Sequence, residues 1–236
     1  MPETGLTMRM ATIALSLLLL GPAARAASDE PFGLSTVATA ESALSTTWQK
    51  LQREIQADER IIVQCRAEPQ SCASPTALRF IAIVNKGNGY EGLAKIGRIN
   101  RAVNLTIGAA SATVQSAWSS PLQTLATGSG DCKQYAVLKY AALMDAGVAA
   151  EDLRLVIVRL KQPQDPETKP ADHALVAVRN EADWIVLDNR TLTMIESRQV
   201  LDQYLPLFAL DHRGVRRFVQ PSTLSAAAAP CGESGG

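Results

Sequence analysis

The sequence is poor in the features that usually fix a chemistry early. It has two histidines and four cysteines, so any metal or nucleophile site must be built from very few side chains. It has no P-loop, no GxGxxG turn and no internal repeat, which removes the glycine-rich phosphate cradles and the solenoid architectures. It has no net charge: 23 basic and 23 acidic residues balance. Without a charge excess there is no long-range attraction to nucleic acid or to an anionic membrane, and nucleic acid is excluded as a partner. The apolar run from Met10 to Leu20 falls short of the roughly 20 residues that span a bilayer.

That short run has another reading. Arg9 precedes it, Gly21-Pro22 ends it, and Ala24-Arg25-Ala26 follows. A basic start, an apolar centre and an Ala-x-Ala exit form a secretory signal peptide over residues 1–26; a retained anchor is the alternative. Cleavage near Ala26 delivers the mature chain to the periplasm or beyond. With 236 residues, 47% of them hydrophobic, the remainder is expected to form one compact domain with a sizeable core. The boundaries read as 35–218, followed by an Ala/Gly/Ser-rich flexible tail over 222–236.

Export puts the cysteines in an oxidising compartment, where disulfides persist. Cys65 and Cys72 flank the turn-prone Glu68-Pro69 and are expected to form a local disulfide. Zinc is the competing reading, but the spacing is not Cys-x2–4-Cys and no histidine is near. Cys231 belongs to the tail. Cys132 is left as an unpaired thiol, which in an exported chain calls for a reason.

Periodicity divides the chain into helices first and strands later, an α+β order. Leu44, Trp48, Leu51 and Ile55 mark an amphipathic helix from about Thr36 to Ile62, with Trp48 as a core anchor. Ser74-Pro75 starts a second helix that buries Phe80, Ile81 and Val84. A third carries Leu93, Ile96, Ile99, Ala102 and Val103, and a short one covers Leu122 to Ala126. Residues Cys132 to Ala146 form another, stopped by Gly147. Three strands follow: Leu153 to Leu160, His173 to Val178 and Trp184 to Leu187. The proline-rich loop Gln162–Pro170 and a turn at Arg179–Asp183 connect them into an antiparallel meander.

The chemistry gathers at Gly130-Asp131-Cys132. A thiol at a helix start meets the positive end of the helix dipole and unpaired amides, which favour the thiolate. The Cys132 amide also faces a developing oxyanion. Gly128 and Gly130 allow a tight turn and close substrate approach. A nucleophile needs a base, and the base needs an orienting group. His173 opens an apolar strand; Asp188 closes the next one. If the two strands pair through the Arg179–Asp183 turn, both side chains reach the same sheet end. A one-residue slip separates them. Asp172 competes as orienter, but neighbours on a strand point to opposite faces. His212 reads as surface, with a second base as its alternative. Asp131 reads as a helix cap first, and as a metal ligand or modulator of the thiol otherwise.

Taken together, Trp118-Ser-Ser-Pro121, Gly130-Asp131-Cys132-x-x-Tyr135-Ala136, Lys139-Tyr140, Leu153-Arg154-Leu155-Val156, Asp172-His173-Ala174 and Val186-Leu187-Asp188-Asn189 resemble the bacterial transglutaminase-like cysteine proteinases, including the LapG-like periplasmic proteases. The resemblance implies a papain/transglutaminase-like α+β core with Cys132 as nucleophile, His173 as general base and acid, and Asp188 as orienter. It brings Trp118 and Gln123 forward as helpers of an oxyanion site. It implies a protein substrate such as a large surface adhesin whose cleavage releases cells from a biofilm, and an inner-membrane receptor as a regulatory partner. Such proteases hold calcium with an Asp-Cys-Glu-Asp-Tyr run. Here the run is Asp131-Cys132-Lys133-Gln134-Tyr135, which leaves only Asp131 for a metal and argues for a reaction with no required cofactor. Lys133 can instead favour the thiolate. Two other readings compete: an amidase or transglutaminase-like acyl transferase on cell-wall peptide, and a non-catalytic binding module on the same scaffold.

Overall fold

The computed structural model describes Met1 and residues 30–39, 42–110, 117–161 and 171–220. The signal segment, Cys231 and its tail, and the prolines of the 162–170 loop lie outside the described residues. Among the described residues no helix is long and apolar enough to cross a membrane.

A helical half precedes and packs on a sheet. The helices are α1 (Ala43–Ala67), α2 (Pro75–Asn85), α3 (Gly92–Thr106), α4 (Pro121–Thr127) and α5 (Cys132–Asp145). The strands are β1 (Thr36–Ala38), β2 (Gly108–Ala109), β3 (Ser129–Gly130), β4 (Leu153–Leu160), β5 (Asp172–Asn180), β6 (Asp183–Leu187), β7 (Ile195–Glu196), β8 (Tyr204–Asp211) and β9 (Gly214–Phe218). Seven of them form one sheet in the order β1-β9-β8-β4-β5-β6-β7, antiparallel at every pairing. The β2–β3 pair is separate and parallel. The expected α+β class with helices first is what the chain adopts.

The sequence expectation needs two corrections. Thr36 does not start a helix: Thr36–Ala38 is an edge strand against β9. Helix α1 starts only after Ser42, whose hydroxyl accepts from Ser45 N–H, and it runs on to Ala67. The meander of three strands is the centre of a wider sheet, because residues 204–218 supply two more strands beside β4. The second, third, fourth and fifth helices stand where the periodicity puts them.

Helix α5 is buried on nearly every side, with Val137, Leu138, Ala142 and Leu143 at zero exposure, as expected for a central helix packed between layers. Its apolar surface joins Trp48, Phe80, Ile99, Leu155 and Val176 in one cluster between the helices and the sheet. A second cluster, with Phe32, Val156, Leu175, Trp184 and Phe218, covers the other sheet face. Trp48 is the anchor expected of it, with its indole N–H donating to the Asp211 carbonyl at 2.9 Å. Cys65 and Cys72 form a disulfide that joins the end of α1 to the start of α2.

Candidate active site

Cys132 is the first residue of α5, and the turn before it is held by its own side chains. Asp131 is the N-cap: its Oδ1 accepts from Lys133 N–H at 2.9 Å. Gln134, three residues on, returns its Oε1 to the Asp131 N–H at 2.9 Å, completing a capping box. The Gln134 amide also donates to the Ala117 carbonyl at 2.5 Å, and the Tyr135 hydroxyl to Ile107 O at 2.7 Å. The β2–β3 pair ties the approach to the cysteine back to the end of α3. Gly128 sits at φ +72°, a left-handed cap to α4. Gly130 is required by contact instead: a Cβ there stands 2.5 Å from Gln134 Cβ.

His173 is the second residue of β5 and faces Val158 of β4. In the β5–β6 register Val176 lies opposite Leu187. Extending it sets Asp188 opposite Leu175, two residues from His173 and on the same face. The register slip that would part them does not occur. His173 Nε2 lies 2.9 Å from Asp188 Oδ1, with both side chains buried. The Cys132 thiol is close enough to the imidazole for each group to shift the other's protonation. The structure thus brings Cys132, His173 and Asp188 together.

The charges follow from this contact. Burial pushes the Cys132 thiol up, but the His173 hydrogen bond and charge, with the Ala174 amide, outweigh it and leave the thiol below its ordinary value. Burial lowers His173, while bonding to Asp188 and Cys132 raises it above its ordinary value overall. Both shifts favour a thiolate–imidazolium pair. Burial works against the Asp188 carboxylate, yet its donors hold it well below the usual range.

Those donors include residues that sequence reasoning missed. The Tyr204 hydroxyl, from the start of β8, donates to Asp188 Oδ2 at 2.5 Å, and its ring stacks on His173 with centroids 6.2 Å apart. Arg190 gives Asp188 its backbone N–H at 2.9 Å and its guanidinium at 3.3 Å, and also contacts the Tyr204 hydroxyl. Asn104 of α3 donates to the carbonyls of Asp188, at 3.4 Å, and Thr191, at 3.2 Å. Lys139 of α5 is 1% exposed and its ammonium has no hydrogen-bond partner. Burial pushes it down to about 7 against the pull of Asp188. Of these, only Lys139, beside Tyr140, belongs to a sequence motif, and that motif assigns it no role; Asn104, Arg190 and Tyr204 carry no signal in the sequence.

The remaining candidates have surroundings of their own. Asp172 forms an exposed ion pair with Arg159 at 2.8 Å, on the opposite strand face from His173. His212 is exposed in the β8–β9 turn. The Gln123 side-chain oxygen accepts from Ser120 N–H at 3.3 Å within the α4 capping box, and Trp118 packs half-buried on the main core.

Comparison with known proteins points one way. Three solved structures of Legionella pneumophila LapG share the fold, each with a TM-score of 0.53. One is 17% identical and covers 72% of this chain and 92% of that one. The calcium-bound form is 18% identical and covers 66% and 87%. The EGTA-treated form is 16% identical and covers 70% and 87%. No curated protein matches the chain in sequence. The family model for the bacterial transglutaminase-like cysteine proteinases matches residues 59–210, more than half of the chain and a span that includes Cys132, His173 and Asp188. By that match the chain belongs to the bacterial transglutaminase-like cysteine proteinases, a family of cysteine peptidases.

Proposed function

We propose that the chain is an exported endopeptidase that works through Cys132, His173 and Asp188. The observation that carries this reading is the His173–Asp188 hydrogen bond at 2.9 Å, made by an imidazole that also interacts with the Cys132 thiol at the start of α5. The Cys132 thiolate attacks the peptide carbonyl, and the oxyanion forms beside the Cys132 amide at the start of α5. The imidazolium gives its proton to the departing amine as the C–N bond breaks, which leaves an acyl-enzyme. His173 then takes a proton from water, the new hydroxyl attacks the acyl carbon, and the C–S bond breaks to restore the thiolate. Asp188 keeps the imidazole oriented and stabilises its charge throughout. All of these groups come from the chain itself, so the reaction requires no cofactor.

The substrate in this reading is a periplasmic or surface protein, such as a large adhesin, and an inner-membrane receptor is a fitting regulator. Incubating the mature chain with exported proteins from its own host, beside Cys132→Ala, tests it by mass spectrometry of new termini. Internal cuts made only by the unsubstituted chain support an endopeptidase. Crosslinks to an added primary amine, without cuts, would move the assignment to acyl transfer.

A further inference from the structure

The turn that carries the thiol does not fit a divalent cation. A hard cation such as calcium takes six to eight oxygen ligands, several of them charged. Here both Asp131 oxygens are engaged by one residue: Oδ1 with Lys133 N–H at 2.9 Å and Oδ2 with Lys133 Nζ at 2.6 Å. Gln134 supplies an amide instead of a carboxylate, and that amide is committed to Asp131 N–H and the Ala117 carbonyl. Among the described residues no group of three or more His, Cys, Asp or Glu side chains can hold a metal. A fixed ammonium 2.6 Å from the one carboxylate of the turn also repels an arriving cation.

We infer that Lys133 is the turn's resident cation, a positioning residue whose tethered ammonium neutralises Asp131 and holds the nucleophile turn assembled where a divalent ion would otherwise be needed. The need is chemical as well as structural. A neighbouring negative charge disfavours a thiolate, so a carboxylate cap adjoining a nucleophilic thiol carries an electrostatic cost. Lys133 offsets that charge from the next residue but one, without adding a ligand that dissociates. The two side chains are about one-quarter exposed, so their attraction is less screened than that of a fully solvated pair. Among the described residues, the other titratable groups that interact with Cys132 here are Asp131 and His173 from β5. Together with the Gln134 bridge to Ala117, the Lys133–Asp131 pair fixes the cap from both sides, so the turn is built before any ligand arrives.

The inference rests on the cysteine-peptidase reading only for the role of the thiol; calorimetry and melting separate the two because they need no turnover. The mature chain is titrated with calcium chloride by isothermal calorimetry and melted in calcium and in EGTA. The expected result is no binding heat and superimposable melting curves. A stoichiometric calcium isotherm, or melting that EGTA lowers, overturns the inference. In parallel, Lys133→Met and Lys133→Arg are alkylated with iodoacetamide at pH 6 and followed at Cys132. Slower alkylation and a lower melting temperature are expected for the Met variant, in calcium as in EGTA, with the Arg variant close to the unsubstituted chain. A Met variant that alkylates and melts like the unsubstituted chain overturns it as well.

Discussion

The two corners that meet at the thiol and the acid are built in opposite ways. The Cys132 corner is mainly local: its cap, its capping box and its counter-charge come from residues 131–134, with Gln134 also tied to the Ala117 carbonyl. The Asp188 corner is assembled from afar, by Asn104 of α3, His173 of β5 and Tyr204 of β8, with only Arg190 close in sequence. A local corner forms with its helix and tolerates the loss of one contact at modest cost. A corner assembled from distant elements exists only in the finished fold, and each contact there acts directly on the group that orients the base. Substitutions at the first corner should therefore register mainly as stability, and those at the second mainly as catalysis.

The largest effects test the three residues that join the corners. Cys132→Ala and His173→Ala should each reduce peptide hydrolysis by about 10⁴-fold or more, because a nucleophile and its base act as a unit; single-turnover assays on a cleaved peptide measure it. Asp188→Asn should cost about 10²–10⁴-fold with the fold intact. Since Asp188 helps raise His173, the alkaline limb of the pH–rate profile should also move to lower pH.

Tyr204→Phe probes the assembled corner most selectively. It removes one hydrogen bond to Asp188 and keeps the ring stacked on His173. A loss of about 10- to 100-fold in kcat is expected, from the roughly 1.5–3 kcal/mol of a hydrogen bond to a charged group, with little change in melting. A fall in melting without a fall in kcat would break the contrast between the corners. Gln134→Ala is the matching change at the local corner: about 1 kcal/mol of stability from the lost capping box, read by chemical denaturation, with the thiol still reactive.

The pH dependence of stability carries a smaller signature with fixed signs. Asp188 is depressed on folding, so it stabilises above the ordinary carboxylate range and loses that contribution as acid protonates it in the folded state. His173 is raised, so its contribution is complete below its ordinary value of 6.5 and disappears as pH climbs through the raised value. Lys139 is depressed to about 7. The unfolded chain holds its proton up to the ordinary lysine range, so stability rises with pH from about 7 upward on this account. Lys139→Met should flatten that rise in urea titrations at a series of pH values.

What the sequence revealed follows the same division. Cys132 is legible because an unpaired thiol at a helix start calls for a reason in the exported chain that the sequence predicts, and Asp131 as its cap because Asp at that position has a local job. His173 and Asp188 are legible as the ends of two successive apolar strands joined by a short turn, but their common face depends on a register that the sequence leaves open. Tyr204 was not, since its strand escaped notice: β8 contains Pro206, and proline argues against a central strand. The structure accommodates it where the β4–β8 register shifts beside Val158, at an irregularity in the ladder that no local pattern marks. The misplaced start of α1 has a similar origin. Thr36–Ala38 gains its extended form only from pairing with β9, some 180 residues away. Asn104 and Lys139 read as ordinary helix residues until the packing of α3 and α5 brings them to Asp188.

The measurement that tests the central claim most directly is the pH dependence of iodoacetamide alkylation at Cys132, followed by mass spectrometry in the unsubstituted chain and in His173→Ala. A thiolate–imidazolium pair predicts fast alkylation well below the free-thiol value of about 8.5, with that low-pH reactivity lost in the variant. A single rise centred near 8.5 in both proteins would show that His173 does not activate the thiol, and would contradict the account.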